Sequence, residues 1–165
     1  MSHKVAVVLL HGLGGVSTSP GIDRLHDEVK AISPDIAVLP VYDQAQWQAA
    51  AAAIKKYTVE KLVVIGYSMG ANDTTFIANA LKPRKVSLLI AIQPTVWENA
   101  SPIGSNVDRA IEVYNPTFAQ TAGFGARKLL GFHLTYITNS DTHPFVQNDP
   151  EVHKLVKDEI HKLLA

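Results

Sequence analysis

The sequence contains no cysteine, so disulfide bonds, thiolate metal sites and a cysteine nucleophile are excluded. Its net charge is zero, with 15 basic and 15 acidic residues, which favours neither nucleic acid nor an anionic membrane as a partner. The N-terminal apolar run, Val5 to Leu10, is too short for a signal peptide, and no stretch reaches the length of a membrane span. We therefore expect a cytoplasmic protein without a membrane span.

The seven histidines are scattered without the spacing of metal ligands, so neither a metal nor another cofactor is expected. Apolar residues make up 47% of the chain and charged residues 18%, which is typical of a globular protein and not of a disordered one. A length of 165 residues suits one domain with a substantial core, so residues 1–165 are predicted to form a single domain.

Apolar runs alternate with segments of helical periodicity, which predicts a parallel sheet covered by helices on both faces. The expected class is α/β, a three-layer α-β-α sandwich with a mostly parallel sheet of about six strands. Strands are predicted at residues 5–10, 36–41, 62–67, 86–92, 109–114 and 132–137, the fifth with a short helix as its alternative, and helices at about 21–32, 44–57, 69–81 and from 150 onward. Residues 115–130 remain unassigned. The first and third strands are expected to be neighbours.

Two glycine-bearing turns follow these two strands. The first is residues 11–15, His-Gly-Leu-Gly-Gly, and the second is residues 66–70, Gly-Tyr-Ser-Met-Gly. A G-x-S-x-G sequence between a buried strand and a helix places its serine at the apex of a sharp turn, where the flanking glycines avoid steric clashes. Functional sites in such sheets lie beyond the carboxyl ends of the strands, so the two turns are expected to converge there.

Residues 11–15, residues 66–70 and His143 after the last strand occur in the order that the α/β-hydrolase superfamily uses. The chain resembles a minimal member, similar to the small lidless bacterial lipases and esterases, with no cap domain and without the two strands that usually come first. The resemblance implies a serine esterase that cleaves small acyl esters or thioesters through an acyl-enzyme, with amides as a further possibility.

By this resemblance Ser68 is the nucleophile, and a histidine late in the chain is the base that takes its proton. His143 lies in a polar segment just past the last strand, where that base belongs. The other histidines are less suitable because they precede the first strand, fall on predicted helices, begin a strand or shape the first glycine loop: His3, His26, His153, His161, His133 and His11.

The oxyanion hole of the family uses two backbone amides, which correspond here to Leu13 and Met69. Each such donor stabilises a transition state by roughly 3 kcal/mol. Gly12 and Tyr67 are expected to line the substrate site. Apolar side chains such as Trp97 and Trp47 are candidates for an acyl pocket, although the more ordinary interpretation of Trp47 is that it anchors its helix in the core.

The acid of the triad departs from the family pattern. The family places Asp or Glu after the fourth or fifth strand, where this chain has Gln93 and Asn115. Asp141, two residues before His143, is our expected acid if the turn folds back. Asn115 is a close alternative, and Asp108 and Asp149 are further candidates.

Two other functions compete with the esterase. A non-catalytic binding protein on a hydrolase scaffold would explain the absent acid, and a carboxylate within reach of His143 would argue against it. A dinucleotide-binding fold would also place Gly12 and Gly14 after the first strand, with Asp43 near the ribose. Ser17 occupies the third glycine position of that fingerprint. The dinucleotide-binding hypothesis also gives no reason for the G-x-S-x-G sequence at residues 66–70.

Overall fold

The computed structural model describes residues 3–117 and 128–165. Within them one sheet of six parallel strands has the order β2-β1-β3-β4-β5-β6. The strands are β1 (Val5–Leu10), β2 (Ile36–Val38), β3 (Lys61–Tyr67), β4 (Leu88–Ile92), β5 (Ala110–Tyr114) and β6 (Leu134–Thr138). Leu10 pairs with Gly66 in the β1–β3 register, so the two glycine-bearing turns leave the sheet side by side.

The helices are α1 (Pro20–Lys30), α2 (Trp47–Lys55), α3 (Met69–Ala80), α4 (His143–Val146) and α5 (Pro150–Leu164), with 3-10 turns at Gly15–Ser17 and Gln44–Gln46. Two of them start at a helix-start signal in the sequence: proline opens α1 and α5, and the Asp149 carboxylate caps α5 by accepting from the Glu151 amide. No helix in the described part of the chain has both the length and the apolarity to cross a membrane.

The core consists of two apolar clusters, one on each face of the sheet. Alternate residues of β1 point to opposite faces, so Val5, Val7 and Leu9 pack with α1 and α5 while the residues between them pack with α2 and α3. Every residue of β1 is fully buried. This is the burial that a continuous apolar run predicts for a strand covered on both faces. The expected three-layer arrangement is confirmed.

The differences from the sequence-based expectations lie at element ends. The edge strand β2 stops at Val38, two residues before Pro40, which has no amide hydrogen for a strand ladder. Residues 110–114 form a strand, which settles the alternative of a short helix. The polar segment before α5 contains α4, which begins at His143 itself. Residues 118–127 of the unassigned segment 115–130 lie outside the described residues.

Candidate active site

Ser68 occupies the sharp turn between β3 and α3, with φ 58° and ψ −125°. Such a backbone conformation costs a non-glycine residue about 1–3 kcal/mol and persists only where the surroundings enforce it. The neighbouring glycines provide the room: a Cβ on Gly66 would lie 2.1 Å from the Gly70 carbonyl oxygen, and one on Gly70 would lie 2.3 Å from the His11 carbonyl oxygen. The turn therefore requires glycine at both positions for steric reasons.

Gly12 brings the first glycine loop against the serine. A Cβ at this position would lie 2.8 Å from Ser68 Cβ and 3.2 Å from Tyr67 Cδ1. A side chain at position 12 would force either Ser68 or the loop to move, so the close contact between the two turns requires glycine there.

His143 faces the serine. Its Nε2 lies 2.8 Å from Ser68 Oγ, although 75 positions separate the two residues, and both side chains are buried. Its ring stacks on that of Tyr67, with centroids 5.0 Å apart. Burial lowers the pKa of His143 from 6.5 to about 4, so the imidazole is neutral at pH 7 and can accept a proton.

Gln93, and not the expected Asp141, lies beside the other ring nitrogen. The distance from His143 Nδ1 to Gln93 Oε1 is 3.0 Å. Asp141 enters the site through its main-chain carbonyl, which accepts hydrogen bonds from Gln93 Nε2 at 2.9 Å and Asn115 Nδ2 at 2.8 Å. Its side chain instead lies beside Asp149; burial, followed by the hydrogen bond with Asp149 and the charge of that residue, raises the pKa of the Asp141 carboxyl. The Asp141 prediction is therefore corrected, because the turn presents its backbone to the site.

The remaining candidates for the acid also lie elsewhere. The Asn115 side-chain amide donates to the Asp141 carbonyl, and Gln93 is the residue that lies beside Nδ1 of the imidazole. Asp149 caps α5 and accepts from Asn139, and Asp108 forms an exposed ion pair with Lys85 at 3.4 Å. Nδ1 of His143 is thus served by a neutral amide where the family pattern has a carboxylate.

Gln93 directly follows β4 and is fully buried. Its φ is 45°, in the left-handed region, although it precedes a proline and is not glycine. Backbone strain of this kind clusters at functional sites. The sequence did contain a clue, since Gln93 stands at one of the two positions where the family has its acid, although its side chain is not a carboxylate.

The expected oxyanion donors, Leu13 and Met69, both border the cavity at the serine. Within residues 3–117 and 128–165, neither backbone amide donates to an internal acceptor. Met69 owes its free N–H to its place at the start of α3, where the first amides of a helix have no partner inside the helix. Both amides are therefore available to a ligand oxygen.

A cavity of about 400 Å³ opens beside Ser68, a size in the ordinary range for small-molecule sites. Its described lining contains no Asp, Glu, Lys or Arg and consists of Leu13, Thr18, Tyr67, Ser68, Met69, Trp97, His143 and Pro144. Gly12, expected to line the site, lies against Ser68 and Tyr67 and is not among these lining residues. Trp47 packs on Phe76 of α3, with ring centroids 5.4 Å apart, so it anchors α2 as the ordinary interpretation held.

The first glycine loop is fixed by His11. Its Nε2 lies 2.7 Å from Asp23 Oδ2 on α1, and its Nδ1 lies 3.1 Å from Asp43 Oδ1. The Ser19 hydroxyl accepts a hydrogen bond from the Gly12 amide. Asp43, which the dinucleotide hypothesis would place on a ribose, is thus engaged in shaping the loop that carries Leu13.

A second feature lies next to the site, where the loop that carries Trp97 meets α3. Asn72 ties this loop to α3 through the Thr95 backbone and the Glu98 carbonyl. Beside it, both carboxylate oxygens of Asp73 are buried without a donor among the described residues, and the facing group is the Glu98 carboxyl. Burial and the Glu98 charge raise the pKa of Asp73 to about 8, so the Asp73 carboxyl is protonated at neutral pH.

Of the comparisons with known proteins, the one with solved structures identifies the fold. No family model matches the sequence, and no curated protein matches it. Among solved structures, a candidate hydrolase of the alpha/beta superfamily from Xanthomonas campestris pv. campestris superposes with a TM-score of 0.55 at 14% sequence identity, covering 99% of this chain and 98% of that one. The chain therefore has the α/β-hydrolase fold, in a small version.

Proposed function

We propose that this protein is a serine hydrolase that cleaves small, neutral acyl esters or thioesters through an acyl-enzyme. The observation that carries the proposal is the hydrogen bond of 2.8 Å between Ser68 Oγ and His143 Nε2, on a strained turn beside a cavity. A serine hydroxyl becomes a nucleophile when a neutral base takes its proton during attack. Burial keeps His143 neutral, which supports this role.

In the proposed reaction Ser68 Oγ attacks the acyl carbonyl carbon while His143 Nε2 takes the hydroxyl proton. The carbonyl oxygen becomes an oxyanion, for which the amides of Leu13 and Met69 are the proposed donors. When the tetrahedral intermediate collapses, the bond to the leaving group breaks and His143 returns the proton to the departing oxygen or sulfur. Water then hydrolyses the acyl-enzyme by the same steps, releasing the acid and restoring the serine.

The cavity supports a short and uncharged acyl group. Its volume of about 400 Å³ and the apolar side chains of Leu13, Trp97 and Pro144 favour an aliphatic or small aromatic chain. An acyl group carrying a carboxylate or an ammonium would lose its water there without a charged partner among the described lining residues, at considerable cost.

The test is labelling with a fluorophosphonate, which forms a bond from Ser Oγ to phosphorus with loss of fluoride only where a serine is activated. We expect labelling of the wild type and none of Ser68→Ala or His143→Ala. Ser87→Ala is the matched control, because Ser87 is equally buried but lies outside the site, and we expect it to label fully. Hydrolysis of p-nitrophenyl acetate, butyrate and octanoate should follow the same pattern and fall with chain length.

One observation favours the second candidate, a binding protein on the hydrolase scaffold. Gln93 cannot supply the negative charge that stabilises an imidazolium in most serine hydrolases. A folded wild type that takes up no fluorophosphonate would remove the esterase proposal and put the binding function first.

A further inference from the structure

The hydrogen bonds around Gln93 permit one orientation of its amide. The main-chain carbonyl of Asp141 has no proton to donate, so the group 2.9 Å from it is the Nε2 donor of Gln93. A flipped amide would set Oε1 against that carbonyl oxygen, two acceptors in contact. The Oε1 acceptor of Gln93 therefore faces His143 Nδ1, at 3.0 Å.

This orientation selects one form of the neutral imidazole. An acceptor at Nδ1 requires the ring proton to be on Nδ1, which leaves the lone pair on Nε2, facing the serine hydroxyl. We propose that Gln93 is a positioning residue of the candidate triad: held in one orientation by the Asp141 carbonyl, it fixes the tautomer in which His143 accepts a proton from Ser68. The effect of Gln93 on the reaction rate rests on the proposed function. Its effect on the tautomer of the His143 ring does not.

The Asp141 carbonyl is itself held in place by neighbouring side chains. Asn115 Nδ2 donates to it at 2.8 Å, and the Asn115 orientation is also fixed, because its Oδ1 accepts from the Thr117 amide. The Asp141 amide donates in turn to Asn139 Oδ1 at 2.7 Å. A carbonyl oxygen has two lone pairs, and the side-chain amides of Gln93 and Asn115 occupy both lone pairs of the Asp141 carbonyl. The strained backbone of Gln93 adds independent support, since a buried glutamine without a role has no reason to be held at φ 45°.

The test is the ¹⁵N spectrum of the His143 ring near pH 7 in the whole protein without substrate, assigned by its loss in His143→Ala. We expect a protonated Nδ1 and an unprotonated Nε2 in the wild type. Gln93→Met keeps the length but removes the acceptor, so the proton should redistribute to Nε2, and kcat on p-nitrophenyl acetate should fall roughly 100-fold or more with KM within about threefold.

Gln93→Glu restores an acceptor at Nδ1, although its second carboxylate oxygen then faces the Asp141 carbonyl in place of the Nε2 donor. It should return the proton to Nδ1 and keep kcat within about tenfold of the wild type. The acid limb of its pH–rate profile should move to higher pH, because a negative group stabilises the imidazolium. Asn106→Leu is the control, since it removes a buried amide that donates to the carbonyls of Ala78 and Arg84 away from the site, and it should leave the His143 ring spectrum unchanged.

A wild-type ring protonated on Nε2, or a Gln93→Met ring identical to the wild type, would overturn the inference. Should Gln93→Met fail to fold, an acid limb that does not move in Gln93→Glu would overturn it instead. The ring spectrum needs no substrate, so absent fluorophosphonate labelling would remove the proposed hydrolase while the tautomer result stood by itself.

Discussion

The hydroxyl of Tyr67 donates a hydrogen bond of 2.7 Å to the main-chain carbonyl of His143, across 76 positions of sequence. Tyr67 is the variable residue just before the serine in the G-x-S-x-G turn. Its ring also stacks on the imidazole, so one side chain holds both the backbone and the ring of His143. Burial raises the pKa of the Tyr67 hydroxyl, which keeps it a donor throughout the ordinary pH range. The G-x-S-x-G turn thus positions the proposed base as well as Ser68.

We expect Tyr67→Phe to lower kcat/KM between about twofold and tenfold, the range that corresponds to losing one neutral hydrogen bond of about 0.5–1.5 kcal/mol. The ring remains, so stacking and packing are kept and only the position of His143 relaxes. Steady-state hydrolysis of p-nitrophenyl acetate measures the change.

Tyr136→Phe is the matched control, because that hydroxyl donates to the Leu129 carbonyl at 2.6 Å, outside the site. It should cost similar stability in urea unfolding and leave kcat/KM unchanged. Equal losses of activity in both variants would contradict a specific role for Tyr67.

The pH dependence of the wild type provides a second prediction. The proposed base works as the neutral imidazole, and its pKa is lowered to about 4 by burial, so kcat/KM should be constant from about pH 5 to 8 and fall tenfold per unit below about pH 4. The unfolded chain takes up that proton near the ordinary pKa of 6.5, so stability declines as the pH falls from 6.5 toward 4. Circular dichroism at each pH separates the two effects, and an acid limb near 6.5 in folded protein would contradict the prediction.

The fold followed from the sequence because its information is local and repeated. Continuous apolar runs at β1, β3 and β4 predict strands buried on both faces, and helical periodicity between them requires a parallel sheet. The ends of elements were less predictable. The edge strand β2, for example, ends at Val38, two residues before Pro40, which has no amide hydrogen to donate. The α4 helix beginning at His143 depends on a proline at its second position and on tertiary contacts that no periodicity records.

The candidate site also has a part that the sequence predicts and a part that it does not. Ser68 and His143, whose types and positions follow a motif, are the pair that the structure brings within 2.8 Å. The partner of the imidazole could not be found from residue type, because a carbonyl of the backbone determines what Gln93 presents to it. Asp141 was chosen for its carboxylate, yet the turn that contains it contributes only a main-chain oxygen.

Gly12→Ala tests the contact between the two glycine-bearing turns. An added methyl group would lie 2.8 Å from Ser68 Cβ, so the serine or the loop must move, and a misplacement of this kind costs about 100-fold in rate. Gly104→Ala is the control, because its methyl group would meet the flexible end of Lys82 at a similar 2.9 Å. We expect kcat/KM to fall only in Gly12→Ala; unchanged kinetics there would show that the loop moves without displacing the serine.

The buried carboxyl pair of Asp73 and Glu98 makes stability depend on pH in the alkaline direction. Folded Asp73 keeps its proton up to about pH 8, whereas the unfolded chain releases it near the ordinary pKa of 3.8. The folded state therefore binds more protons between these values, and its stability should fall as the pH rises through this window. An asparagine at position 73 carries permanent donors toward Glu98 and has no proton to lose.

We therefore expect Asp73→Asn to gain stability relative to the wild type as the pH rises from about 6 to about 8, by about 1–2 kcal/mol across that range. Urea unfolding of both proteins at several pH values measures the difference. Asp108→Asn removes a carboxylate that is half exposed and paired with Lys85, so its difference from the wild type should stay constant over the same range. Parallel stability curves for Asp73→Asn and the wild type would mean that Asp73 is already ionised in the folded protein. The loop that carries Trp97 would then be held to α3 by the hydrogen bonds of Asn72 and Thr75, without a contribution from a protonated Asp73.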